Sequence, residues 1–131
     1  MDITKAFATD ANKEEDGIEV DIGDGATLRV ARIGTKAYNK VINKLFTANK
    51  RALDLKNDAA AELSDRLMAE AMAKTILKGW DGIEDGGKPL PYSIENAQRL
   101  LMIKDFRALV FEKANDFEAY KAAVEEDVSG N

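Results

Sequence analysis

The chain contains no cysteine and no histidine. Without thiolate or imidazole, catalysis by Cys or His and the ligation of zinc or haem are excluded. Proline is almost as scarce, with two residues, and there is a single tryptophan. No apolar run approaches the roughly 18 to 20 residues that a membrane span requires, and the first residues are acidic where a signal peptide is basic. A cytoplasmic protein without membrane contact is the expectation.

What is present suits one folded unit. At 131 residues, 45% of them apolar and 33% charged, the composition is that of a globular domain long enough to bury a modest core without a metal or disulfide. The net charge of -5 is unevenly spread. Residues 1 to 25 hold eight acids against two lysines, residues 34 to 57 hold six bases against Asp54 alone, and residues 105 to 131 hold seven acids against three bases. A field that repels phosphate argues against nucleic acid as a partner, while the basic block suits an acidic protein surface.

Residues 1 to 16 show no sustained period and read as a loosely ordered arm in which Phe7 docks. From Gly17, Ile18, Val20 and Ile22 alternate with Glu19 and Asp21, and Ala26, Leu28 and Val30 alternate with Thr27 and Arg29, the period-two pattern of half-buried strands. A two-residue turn at Asp24-Gly25 would set Val20 against Arg29 and Asp21 against Leu28, polar opposite apolar on both faces, and is rejected. A three-residue loop, Gly23-Asp24-Gly25, instead pairs Ile22 with Ala26, Val20 with Leu28, Ile18 with Val30 and Glu19 with Arg29, with Gly25 left-handed. The spacing therefore predicts a hairpin over 17–33.

The remainder reads as helix. Thr35 is placed to cap a helix over 35–56 that buries Tyr38, Val41, Ile42, Leu45 and Phe46. A second spans 59–78, with Gly79 as its stop signal; a third, over 93–104, is capped by Ser93; a fourth, over 105–127, is capped by Asp105 and buries Phe106, Leu109, Val110, Phe117, Tyr120 and Val124. Residues 128–131 form a flexible tail. The fold class is thus mainly α with a small β-hairpin (α+β), the hairpin packed on about four helices, in a single globular domain over 17–127.

Candidate chemistry is sparse. Asp81, Glu84 and Asp85 suggest a calcium loop, but with Asp81 first, Ile83 and Tyr92 fall where oxygen ligands are required. Gly23-Asp24-Gly25 lacks the glycine count and following helix of a phosphate cradle. No metal or cofactor is expected, and nothing in the sequence singles out a catalytic residue. Lys36, Lys40 and Lys44 make a stripe at i, i+4, i+8, either a grip for an acidic helix or a solvated face. Trp80 and Tyr92 bracket a Gly/Pro-rich loop, with Ile83 and Leu90 between them. Trp80 either anchors another chain or closes the core, Ile83 and Leu90 are expected to face outward, and Met68, Met72 and Met102 supply soft apolar surface or core filling.

The order of these motifs carries a resemblance. Phe7-Ala8-Thr9-Asp10 before an acidic run, Gly17, Val20-Asp21 with Gly23-Asp24-Gly25, then Arg29, Ala31-Arg32, Gly34 and Tyr38 form its first half. The Gly79-Trp80 to Leu101 stretch, which holds both prolines and four of the nine glycines, forms its second. Together they resemble the tail assembly chaperones of long-tailed bacteriophages, small proteins encoded upstream of the tape measure protein. The resemblance implies a helper without catalysis that works in the host bacterial cytoplasm, binds the tape measure protein and the major tail tube protein, and forms a homo-oligomer in some cases. Two other classes stay open: a structural tail component retained in the virion, and a small acidic regulator of a host protein.

Overall fold

The computed structural model describes residues 1–123 and shows a mainly helical α+β fold around a small antiparallel sheet. In chain order the elements are α1 (Ile3–Ala6), α2 (Ala11–Asp16), β1 (Ile18–Gly23), β2 (Ala26–Val30), α3 (Lys36–Ala48), α4 (Lys50–Asp54), α5 (Asp58–Thr75), β3 (Leu77–Asp81), β4 (Glu84–Asp85), β5 (Lys88–Pro89), α6 (Ile94–Leu101), α7 (Lys104–Ala114) and α8 (Phe117–Tyr120). Residues 124–131, which include Val124 and the expected tail, lie outside the described residues.

The hairpin forms in the expected register over most of its length: Ile18 pairs with Val30, Glu19 with Arg29 and Val20 with Leu28. Its tip differs. Gly23, rather than Ile22, opposes Ala26, because Ile22 is bulged between Asp21 and Gly23. The turn is therefore the two-residue Asp24-Gly25, with both residues left-handed (φ 54° and 75°), and the bulge restores the register that a two-residue turn alone would break.

The sheet has a third strand that the helical spacing hid. The helix expected over 59–78 stops at Thr75, whose Oγ1 donates to the Ala71 carbonyl at 2.7 Å, and the chain enters β3 directly. β3 pairs with β2, giving the order β1-β2-β3, with Leu28 opposite Trp80 and Val30 opposite Leu77. The register slips between these pairs, so Lys78 is bulged and Leu77 and Trp80, three residues apart, share one face. Gly79 is thus a strand residue, not a helix stop. The Gly/Pro loop after it contains the two-stranded β4-β5 hairpin, turned at the left-handed Gly86-Gly87.

α5 is the central helix. Ala69, Ala71, Met72 and Ala73 are all buried, so its C-terminal half is covered nearly all round, by α3, α6 and β3, and small alanines allow that close approach. Leu28 and Val30 from β2, Tyr38 from α3, Ile76 and Leu77 at the start of β3, Ala97 and Leu101 from α6, and Val110 and Ala114 from α7 complete the core.

Three further boundaries move. The 35–56 helix breaks at Asn49, whose side-chain amide donates to the Leu45 carbonyl at 2.7 Å, although Thr35 caps its start as expected. Ser93 likewise caps α6 by accepting from the Asn96 N–H. The 105–127 helix begins at Lys104 after Ile103, so Asp105 sits in its first turn rather than at the cap, where its charge still favours the helix N-terminus. It ends at Ala114, and Asp116 caps the separate α8.

The arm over 1–16 is ordered rather than loose. Asp2 and Asp10 cap α1 and α2, each accepting backbone N–H bonds from the turn that follows. The Asp10 N–H donates to the Tyr120 carbonyl and the Ala122 N–H donates to the Ala8 carbonyl, both at 2.9 Å, so the arm is stitched to the segment around α8. Phe7 docks on Phe117 with ring centroids 5.4 Å apart, yet remains 59% exposed.

Candidate partner-binding surfaces

Four of the residues singled out in the sequence gather at one place. Trp80 projects from β3 and Tyr92 from the strand-like entry to α6, and their rings meet edge to face at 5.0 Å. The Trp80 indole N–H donates to the Leu90 carbonyl at 2.8 Å, and the Tyr92 hydroxyl donates to the Leu77 carbonyl at 2.7 Å. The Leu90 N–H donates to the Ile83 carbonyl at 2.9 Å. Both aromatics therefore tie the loop over 82–92 to β3, and each satisfies its polar atom within the fold. Trp80, Ile83 and Tyr92 pack against the core, and Leu90 is half-buried. The expectation that Ile83 faces outward is corrected: the left-handed Gly82 turns the chain back, and Ile83 rests on the core instead. Trp80, Ile83, Leu90 and Tyr92 still line a shallow depression of about 430 Å³ together with Pro89 and Pro91.

Lys36, Lys40 and Lys44 lie on a different element, α3, and all three are exposed. Among the described residues none of them makes an ion pair. Thr47 continues their row by three residues, and Thr47 lines an open groove of about 570 Å³ where α3 and α4 lean on α5. Phe46, Leu53, Ala60 and Ala61 form its apolar wall, and Lys50, Asp54 and Lys56 stand beside it. Sequence reasoning assigned Phe46 to the core and left the others without a role. Their spacing is that of any buried helical face, and the groove lies where the chain passes from α3 through the break at Asn49 into α4.

Of the methionines, Met72 is core and Met68 accepts a hydrogen bond from the Tyr38 hydroxyl at 3.2 Å, whereas Met102 is partly exposed at the α6–α7 elbow. Burial raises the pKa of both Tyr38 and Tyr92. No group of three or more acidic side chains forms a metal-binding cluster among the described residues. No helix among them is long and apolar enough to cross a membrane.

No curated protein and no solved structure matches the chain. One family model does, over residues 33–131, and its description is YdaY prophage protein. The match takes in α3 to α8, the groove and the Trp80–Tyr92 cluster, and leaves out the arm and the β1-β2 hairpin. Because it covers well over half of the sequence, the protein is a phage-encoded one and belongs to the YdaY prophage protein family.

Proposed function

We propose that the protein is a tail assembly chaperone, a non-catalytic helper that binds the tape measure protein and tail tube subunits during tail morphogenesis in the host bacterial cytoplasm. The observation that carries this reading is the prophage family match over residues 33–131, which contains the Gly79–Leu101 stretch of the resemblance. Two features support it. The lysine row on α3, without an ion-pair partner among the described residues, offers charge to an acidic helical partner, and the groove at its end offers apolar surface. Both suit transient cover of a long amphipathic helix, in which exposed apolar side chains would otherwise drive aggregation.

The second reading is a structural component retained in the tail. β1 is an edge strand of the sheet, and an edge strand can extend a neighbour's sheet. Mass spectrometry of purified virions separates the two readings. The chaperone is expected in the lysate and absent from particles, and stoichiometric retention in particles would favour the structural component.

A further inference from the structure

We propose that the groove between α3–α4 and α5 is the docking site for one amphipathic helix of a partner protein, whose apolar residues enter the groove and whose acidic residues lie along Lys36, Lys40 and Lys44. Three observations on different residues converge on it. The walls are apolar and the groove is open, so Phe46, Leu53 and Ala61, with Ala60 beneath them, present a face that the described residues leave unfilled. Close to Leu53 and Lys56 in the chain, Leu55 is 69% exposed, second only to Met1 among the large apolar side chains of the described residues. A row of lysines then runs into the groove through Thr47.

Charge selects the occupant. The basic block over 34–57 has one acid, Asp54, and Lys50 neutralises it at 2.7 Å. Lys36, Lys40, Lys44, Arg51 and Lys56 keep their charge without an ion-pair partner among the described residues. Lys56 holds its place at a cost: it sits just past α4 in the left-handed region (φ 52°), where glycine is the usual residue. A cation is thereby kept at the mouth of the groove. Lysines at i, i+4, i+8 span about 12 Å of helix axis. Carboxylates at the same spacing on a partner helix of at least three turns would meet them. An apolar wall and a chain of net charge -5 make a polyanionic nucleic acid the poorer match.

The inference deepens the chaperone reading by naming the partner chemistry of that surface, and its test specifies the helix by chemistry rather than by source. A fluorescently labelled synthetic helix with a leucine face and glutamates at i, i+4, i+8 is titrated with the full chain by anisotropy, alongside a twin in which the glutamates are lysines. The glutamate peptide is expected to bind at least about tenfold more tightly than its twin, and more weakly as salt rises. Ala61→Trp, which fills the groove from an exposed position, and the triple variant Lys36→Gln, Lys40→Gln, Lys44→Gln, which touches only solvent-facing side chains, are each expected to weaken it about tenfold or more. Circular dichroism confirms that both variants fold. Equal binding of the two peptides, binding that survives both variants, no binding of the glutamate peptide, or equally tight binding of an oligonucleotide would each overturn the proposal. Failure of a tape measure pull-down would leave this result untouched.

Discussion

The hydroxyl of Tyr120 donates to the carbonyl of Val30 at 2.8 Å, a buried bond between residues separated by 90 positions. It joins α8 to the end of β2, where the β2–β3 register slips. Arg32 reinforces the same junction: its guanidinium binds Glu14 of α2 at 2.9 Å and lies over the rings of Tyr120 and Phe117 at 5.7 and 5.9 Å. Sheet, arm and α8 therefore meet at one junction, built from a buried hydrogen bond and a half-buried ion pair.

Tyr120→Phe keeps the ring beneath Arg32 but leaves the Val30 carbonyl without its buried hydroxyl donor. A loss of about 1 to 3 kcal/mol is expected, read from urea denaturation. Tyr120→Ala removes the ring as well and is expected to cost about 3 to 5 kcal/mol.

Stability should fall at alkaline pH. Burial pushes the Tyr120 hydroxyl up to about 12; the positive charge of Arg32 opposes this, and Asp116 and Glu14 add to it. The unfolded chain loses that proton near pH 10 and the folded chain near 12, so the folded state binds the extra proton between these values. The contribution is complete below pH 10 and disappears as pH rises through 12. Thermal melts from pH 8 to 12 should show a steepening loss, and Tyr120→Phe should flatten it.

Gly82→Ala should destabilise the protein strongly for a single methyl. The residue is left-handed (φ 73°), and a Cβ there would collide with the Gly25 carbonyl oxygen at the tip of the hairpin. Strain and collision together are expected to cost about 2 to 3 kcal/mol by denaturant titration. Gly86→Ala, left-handed but with open space around it, should cost less.

Lys56→Gly should move stability the other way. Relieving the left-handed lysine after α4 is expected to add about 0.5 to 1 kcal/mol in thermal denaturation. If the groove binds an acidic helix, the same variant binds it less tightly, because the cation at the mouth is gone.

The parts of the fold legible in the sequence are those fixed by local chemistry. Thr35 and Ser93 cap helices because their hydroxyl oxygens accept the backbone N–H groups that a helix start leaves free, and the pairing of Val20 with Leu28 follows from side-chain alternation. β3 was illegible for a physical reason. The bulge at Lys78 places Leu77 and Trp80 on one face at a spacing of three, which mimics a helix. The arm is two short capped helices held by bonds to Tyr120 and Ala122, contacts that no local pattern announces. Of the candidate site residues, the three lysines stand exposed as their spacing on α3 suggests, and Trp80 and Tyr92 meet. The groove is not legible in the sequence, because Phe46 and Ala60 have the periodicity of core.

Co-expression with a tape measure protein tests the proposed chaperone role of this YdaY-family protein. The tape measure protein of the same prophage is produced with and without this chain, and its soluble fraction and co-purification through a tag on this chain are measured. The tape measure protein is expected to become largely soluble and to co-purify when this chain is present. A tape measure protein equally insoluble in both cultures and absent from the tagged eluate would contradict that role.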